Sequence, residues 1–245
     1  MNILLCNDDG IFSEGLLTLA KLLKAKHKVT VFAPTGNRSG YSRSLSFHKN
    51  IEVKPVFDIE GVEAYTVSST PADCVKYAIT ALNTKFDLVV AGINQGPNLG
   101  SDIFYSGTVN ACIEANVENI PAIAFSNVAL KDYNFLENAI IIEKIFDRLV
   151  EMASGNYTLN VNIPNVKASE VTGIKICQAG LCKYSDGYIK TGEFTYKLIG
   201  EPIAPSEKDV GTDVYYSYKN FVTITPVTHR VTDENALSKL KGFSI

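Results

Sequence analysis

Short unbroken apolar runs alternate with stretches of helical spacing along the first two thirds of the chain. Ile3, Leu4, Leu5 and Cys6 form the first run, and a run that short, followed at once by polar residues and Gly10, predicts a strand buried on both faces. Over residues 12–23 the apolar positions Phe12, Leu16, Leu19, Ala20 and Leu23 recur at helical spacing, and Lys21, Lys24 and Lys26 gather where cations suit the helix dipole. Residues 28–33 (KVTVFA) predict a second strand, stopped by Pro34, and residues 51–56 and 62–67 read as two extended pieces. Thr70-Pro71-Ala72-Asp73 opens a helix in the expected way, with Thr as cap, Pro at the first position and Asp at the third. Residues 87–91 (DLVVA) and 121–125 (PAIAF) predict further strands, with a helix over about 108–116 between them. Residues 135–152 form a long amphipathic helix.

Strands this apolar, alternating with helices, predict an α/β fold with a mostly parallel sheet covered on both faces. That pattern holds over residues 1–155. Over 156–245 it changes: residues 159–164, 173–180, the segment near 184–198 and 221–227 read as strands with irregular connections. No helical crossover is evident there until 232–240. This last part is expected to extend the sheet and to project a hairpin, a plausible contact between subunits. The whole chain, 1–245, reads as one domain.

Composition narrows the function classes. Hydrophobic residues make up 46% and charged residues 20%, ordinary for a globular protein, and a net charge of -3 disfavours binding to a nucleic acid polymer. No apolar run approaches the length of a membrane span, and no basic leader precedes Asp8. The five cysteines show no C-x-x-C spacing, and Cys6, Cys74 and Cys112 sit among apolar residues as small core side chains. A reducing, cytoplasmic setting is the expectation.

Candidate chemistry lies just beyond the predicted strands. Asp8 and Asp9 follow the first strand directly, where open α/β sheets bind ligands. Adjacent carboxylates repel, so they invite a divalent cation or a shared proton; a plain helix cap would need only one side chain, Asn7 or Asp9. Asn37-Arg38-Ser39-Gly40 and Gly92-Ile93-Asn94-Gln95-Gly96 follow other strands and belong on the same sheet edge. Two carboxylates, a hydroxyl and an amide carbonyl make an all-oxygen donor set, suited to Mg²⁺, Mn²⁺ or Ca²⁺ rather than zinc. Tyr105-Ser106-Gly107-Thr108 runs into a helix whose first N–H groups could cradle a phosphate; the plainer reading makes Ser106 or Thr108 a cap. Asn98 offers a further polar contact from the same loop, and Arg38 and Arg43 could neutralise phosphate charge. Neither a P-loop nor a dinucleotide fingerprint is present, and no histidine pairs with a serine nucleophile.

Taken together, Asn7-Asp8-Asp9-Gly10, Asn37-Arg38-Ser39-Gly40, Ser69-Thr70-Pro71-Ala72-Asp73-Cys74 and residues 92–109 (GINQGPNLGSDIFYSGTV) resemble the survival protein SurE family. The resemblance continues through LNVNIP (159–164), GTD (211–213) and ITPVTHRVT (224–232). It implies a Rossmann-like three-layer core and a C-terminal extension that exchanges between subunits in a homodimer or homotetramer. It implies hydrolysis of nucleoside monophosphates with one divalent cation per subunit, Mg²⁺ or Mn²⁺. Asp8, Asp9, Ser39 and Asn94 match the metal ligands, and Asn98, Ser106, Gly107 and Thr108 match the segment around the phosphate. Cleavage of 3′-esters and of short polyphosphate are further options that it leaves open. Residues 181–200 depart from the family's usual Arg- and Trp-containing pattern.

The reaction these residues suit is metal-assisted hydrolysis of a phosphomonoester, with Asp9 steering the attacking water or taking its proton. A phospho-aspartyl route on Asp9 is a variant of it. Two other classes compete: a non-catalytic nucleotide-binding protein, and a receiver-like signalling module, which also carries an acid pair after its first strand but needs a phosphoacceptor Asp after the third.

Overall fold

The computed structural model describes residues 1–82, 84–241 and 243. The chain runs β1 (Asn2–Cys6), α1 (Glu14–Lys24), β2 (Lys28–Pro34), β3 (Val53–Val56), β4 (Glu63–Val67), α2 (Pro71–Ala81), β5 (Leu88–Gln95), α3 (Gly107–Val117), β6 (Ala122–Val128), α4 (Phe135–Met152), β7 (Thr158–Pro164), β8 (Gly173–Ile176), β9 (Gly187–Lys190), β10 (Tyr196–Ile199), α5 (Asp213–Ser217), β11 (Phe221–Val227) and α6 (Glu234–Leu240). Nine strands form one sheet in the order β3-β4-β2-β1-β5-β6-β7-β11-β8, while β9 and β10 pair separately as an antiparallel hairpin. The six strands from β4 to β7 in that order are parallel; β3 and β11 run antiparallel to β4 and β7. This is the three-layer α/β architecture that the apolar runs predict, hairpin included.

Alternation along each strand sorts its side chains between the two layers. On one face Ile3, Leu5, Val29, Val31, Leu88 and Val90 pack with Leu16, Leu19 and Leu23 of α1 and Ile142, Phe146 and Leu149 of α4. On the other, Leu4, Cys6, Phe32, Val89 and Ala91 pack with Cys74 and Val75 of α2 and Val109 and Cys112 of α3. Cys6, Cys74 and Cys112 are thus small core residues, and all five cysteines are free. Phe12 is 59% exposed, because α1 starts two residues later than the periodicity suggests, with Ser13 as its N-cap.

The strand order places the chemistry. From β1 the chain builds outward to β2 and β4, then crosses back to lay β5 on the other side of β1. The reversal between β1 and β5 opens a crevice at their carboxyl ends, where open α/β sheets take their ligands. Strand β5 also runs four residues past the expected Ala91, and its register with β6 shifts between Ala91 and Asn94. That irregular end carries Asn94 to the crevice.

Candidate metal and phosphate site

Past the end of β1 the chain must turn sharply before α1. Asn7 closes that turn, donating from Nδ2 to the Gly10 carbonyl (3.0 Å) and to Ser13 Oγ (2.6 Å) while its Oδ1 accepts from the Gly10 N–H (3.2 Å). Gly10 sits at φ +106°, where a side chain would be strained. Neither Asp8 nor Asp9 serves as the cap of α1, so both carboxylates are left for other partners.

Asp8 is only 2% exposed. Its Oδ1 accepts from the Thr108 hydroxyl in α3, and its Oδ2 lies so close to Gly107 that a Cβ there would stand 2.7 Å away. The helix start is packed directly against the carboxylate. Asn94 donates from Nδ2 to the Gly96 carbonyl (2.8 Å), which leaves its Oδ1, 3.5 Å from Thr108 Oγ1, on the same side as Asp8. Asp9 Oδ2 accepts from the Gln95 N–H (3.1 Å), tying the end of β1 to the end of β5. The third segment is joined by main chain: the Arg38 N–H donates to the Asp8 carbonyl at 2.6 Å, which sets Ser39 beside it. Asn37 Oδ1 accepts from the Ser39 N–H (2.8 Å) and fixes that turn.

Burial raises the Asp8 carboxyl above the ordinary carboxylate range despite the Thr108 hydrogen bond. Burial, then the charge of Asp8, pushes Asp9 up to about 6. Two carboxylates held together out of water are costly as anions, and a cation between them would offset that cost. Among the described residues no three His, Cys, Asp or Glu side chains gather as a metal cluster. The donors at this place are two carboxylates with a hydroxyl and an amide oxygen, a set that fits a hard cation such as Mg²⁺ or Mn²⁺.

Asp8, Ser39, Asn94, Asn98 and Ser106 line one cavity of about 740 Å³; Asp9, Gly107 and Thr108 adjoin it through the contacts above. Ser106 caps α3, its Oγ accepting from the Val109 N–H at 3.0 Å. Thr108 is fully buried and gives its hydroxyl to Asp8, so it holds a carboxylate rather than standing free for phosphate. Asn98 donates from Nδ2 to Ser126 Oγ (2.8 Å), which leaves Oδ1 and one N–H. Arg38 turns to the Ser69 carbonyl (3.4 Å) and the Tyr41 ring, and Arg43 faces Glu114 at 3.9 Å. Neither arginine lines the cavity.

Several residues that hold this arrangement escaped sequence reasoning. Asn162 Oδ1 accepts from the Asn98 N–H (2.8 Å), and Asn160 and Asn162 both donate to the Asn98 carbonyl (2.7 and 3.0 Å). The signal was available: asparagines at alternate positions of LNVNIP share one face of β7, where buried amides need partners. Asp213 accepts from the N–H groups of Gly100 (2.9 Å), Gly180 (2.8 Å) and Val214 (2.8 Å). Asp73 gathers the Ser46 N–H and the Ser69 and Thr70 hydroxyls, pinning the loop that carries Ser39 onto the start of α2. Tyr184, Asp186 and residues 198–200 at the base of the hairpin close the cavity from the far side.

Oxygen-bearing side chains gathered at the switch point of a doubly wound sheet, against a helix N-terminus, are the setting of an α/β protein of the phosphate-handling class. The end of β5 offers Asn94-Gln95 where a receiver module would need its phosphoacceptor Asp. Comparison with known proteins narrows the class. The family model described as survival protein SurE matches residues 3–186. A protein of Clostridium beijerinckii named 5′-nucleotidase SurE is 40% identical over 249 residues, covering 97% of each chain. One of the same name from Trichodesmium erythraeum is 41% identical, covering 100% of this chain and 98% of its own. The crystal structure of the SurE protein from Aquifex aeolicus superposes with a TM-score of 0.85 at 35% identity, covering 98% of both chains. The chain belongs to the SurE family.

Proposed function

We propose that this protein is a 5′-nucleotidase that hydrolyses nucleoside monophosphates to nucleoside and phosphate, with one Mg²⁺ or Mn²⁺ ion per subunit. The observation that carries the reading is the meeting of Asp8, Ser39 and Asn94, from three separate segments of the chain, at one cavity bordered by Ser106, the cap of α3. Full-length similarity to proteins named 5′-nucleotidase SurE supports it.

Asp8, Asp9, Ser39 and Asn94 would hold the cation. When bound, it supplies charge neutralisation and Lewis acidity toward the phosphoryl oxygens. Thr108 donates to Asp8, which aims the carboxylate and partly offsets the burial that disfavours its ionised form. Asp9 has one oxygen engaged by Gln95 and presents the other to the attacking water, steering it or accepting its proton. The positive end of α3, whose Gly107 and Thr108 N–H groups face Asp8 and whose Val109 N–H is taken by Ser106, favours negative charge at this end of the cavity, with Ser106 and Asn98 bordering the phosphoryl group. The exposed aromatic and aliphatic side chains of β9 and β10 (Tyr188, Tyr196, Leu198) support pairing into a homodimer or homotetramer, and the free cysteines support a cytoplasmic setting. No helix among the described residues is long and apolar enough to cross a membrane.

The test is phosphate release from p-nitrophenyl phosphate and from a panel of 5′- and 3′-nucleoside monophosphates with Mg²⁺ or Mn²⁺, with and without EDTA. Turnover on 5′-monophosphates that EDTA abolishes is expected. Tight nucleotide binding with no phosphate release under any cation would replace this reading with that of a binding protein.

A further inference from the structure

A second cavity, of about 950 Å³, lies between α3 and the ends of β8 and β11. Its charge is opposite to that of the first. Asp8, Asp102 and Asp186 are the charged residues lining the cavity at the candidate cation site. Arg43, His229 and Arg230 line the second, and among the described residues no Asp or Glu does, although the whole chain carries a net charge of -3. Arg43 is only loosely engaged: Glu114 stands 3.9 Å away and accepts from Lys76 at 3.0 Å through its other oxygen. Arg230 sits in the turn after β11, where its main-chain N–H donates to Thr228 Oγ1 (3.2 Å). Its guanidinium has no acidic partner among the described residues. His229 Nδ1 is buried and lacks a hydrogen-bond partner among the described residues, whereas buried polar atoms are almost always paired. Planar guanidinium groups match the oxygens of a phosphate. The exposed side chains of Phe104, Ile176 and Val231 add flat and apolar surface to the same cavity.

We propose that this basic cavity is a second anion site, separate from the candidate cation site, and that it takes an organic phosphate. Arg43 and Arg230 meet the phosphate oxygens, His229 supplies a third polar contact, and the Phe104 ring lies against the uncharged part of the ligand. Binding here needs no metal ion, because the neutralising charge is carried by the side chains themselves. The proposal does not depend on the phosphatase reading.

The probe is 4-nitrophenylphosphonate, whose C–P bond resists hydrolysis and whose nitro group quenches tryptophan fluorescence. The chain contains no tryptophan, so Ile176→Trp, at an exposed position lining this cavity, places a single reporter there. The full-length Ile176→Trp protein is titrated with Mn²⁺ and again with EDTA, and calorimetry follows the same ligand on the wild type. Saturable quenching with the same midpoint in Mn²⁺ and in EDTA is expected, weakening as KCl is raised. Arg43→Gln and Arg230→Glu, each added to the reporter protein, are expected to lower the affinity by at least about tenfold, the loss of a charge-assisted contact. Glu114 keeps Lys76 in the first variant and Arg230 is exposed, so neither substitution threatens the fold. Orthophosphate, which cannot use Phe104, is expected to bind several-fold more weakly by calorimetry in EDTA. Quenching that appears only with Mn²⁺, no binding in EDTA by either method, or an affinity unmoved by both arginine substitutions would overturn the second site. Orthophosphate binding as tightly as the phosphonate would overturn its assignment to an organic phosphate.

Discussion

Replacing Gly107 by Ala sets two effects of opposite sign against each other. At the first turn of α3 an added methyl group favours helix, by up to about 1 kcal/mol. The same methyl would stand 2.7 Å from both Cβ and Oδ2 of Asp8 and 3.1 Å from its Cγ. Ordinary contacts between carbon atoms fall at about 3.5–4.0 Å, so the carboxylate or the helix start must retreat by about 1 Å. Overpacking of this kind costs about 1–3 kcal/mol, which leaves net stability within about 2 kcal/mol of wild type. A displacement of about 1 Å at a positioned catalytic group, by contrast, lowers the rate on the order of 100-fold. Urea unfolding measures the first quantity; kcat/KM on a nucleoside monophosphate with a Mn²⁺ titration measures the second. Gly107→Ala should remain folded, bind Mn²⁺ more weakly and lose about two orders of magnitude in turnover. Wild-type metal affinity together with wild-type turnover would refute the placement of Asp8 against this helix start.

Three further outcomes follow from the same geometry. Thr108→Val removes the hydroxyl held against Asp8 and should weaken Mn²⁺ binding by about 1.5–3 kcal/mol, the worth of a hydrogen bond to a charged group; unchanged calorimetric affinity would return Thr108 to a purely packing role. Asp9→Asn should stabilise the metal-free protein. A carboxyl raised from 3.8 to about 6 is disfavoured as an anion by up to about 3 kcal/mol, so the gain is full above about pH 7 and vanishes below about pH 4. Unfolding in EDTA across that range checks the sign, and a variant less stable than wild type at pH 8 would contradict it. Asp213→Asn turns an amide N–H₂ toward at least one of three main-chain N–H donors and should cost about 1–3 kcal/mol. It should also raise KM, because Gly100 is released; a change in neither quantity would refute the tether.

Much of the core was legible because its signals are local. Apolar runs such as 3–6 and 87–91 could only be buried strands, and Thr70-Pro71-Ala72-Asp73 carries its own start signal, realised as Thr70 Oγ1 accepting from the Asp73 N–H at 3.1 Å. The pairing of Asp8 with Asp9, and the loops bearing Ser39 and Asn94, were readable for the same reason: each follows a strand, and parallel strands deliver their ends to one edge. What local pattern cannot reveal is side-chain direction across the fold. Thr108 reads as a phosphate donor in sequence but points at Asp8, 100 residues away. The arginines of the 35–46 loop look like phosphate partners but find a carbonyl, a ring and Glu114. Gly92 looks like the end of a strand, yet β5 continues through it, because the irregularity is absorbed by a register shift against β6. The five-residue helix α5 is too short to show any period, although it supplies Asp213.

The asparagine pair on β7 and the carboxylate of Asp213 reach the 96–100 loop from outside the first 155 residues. A shortened chain ending there would keep every candidate ligand while losing the clamps that fix Asn98 and Gly100. The same cut strips β7, β11 and β8 from the sheet and Leu159, Val161 and Ile224 from the core, so truncation costs fold and site together. The later segment belongs to the working parts as much as the acid pair does.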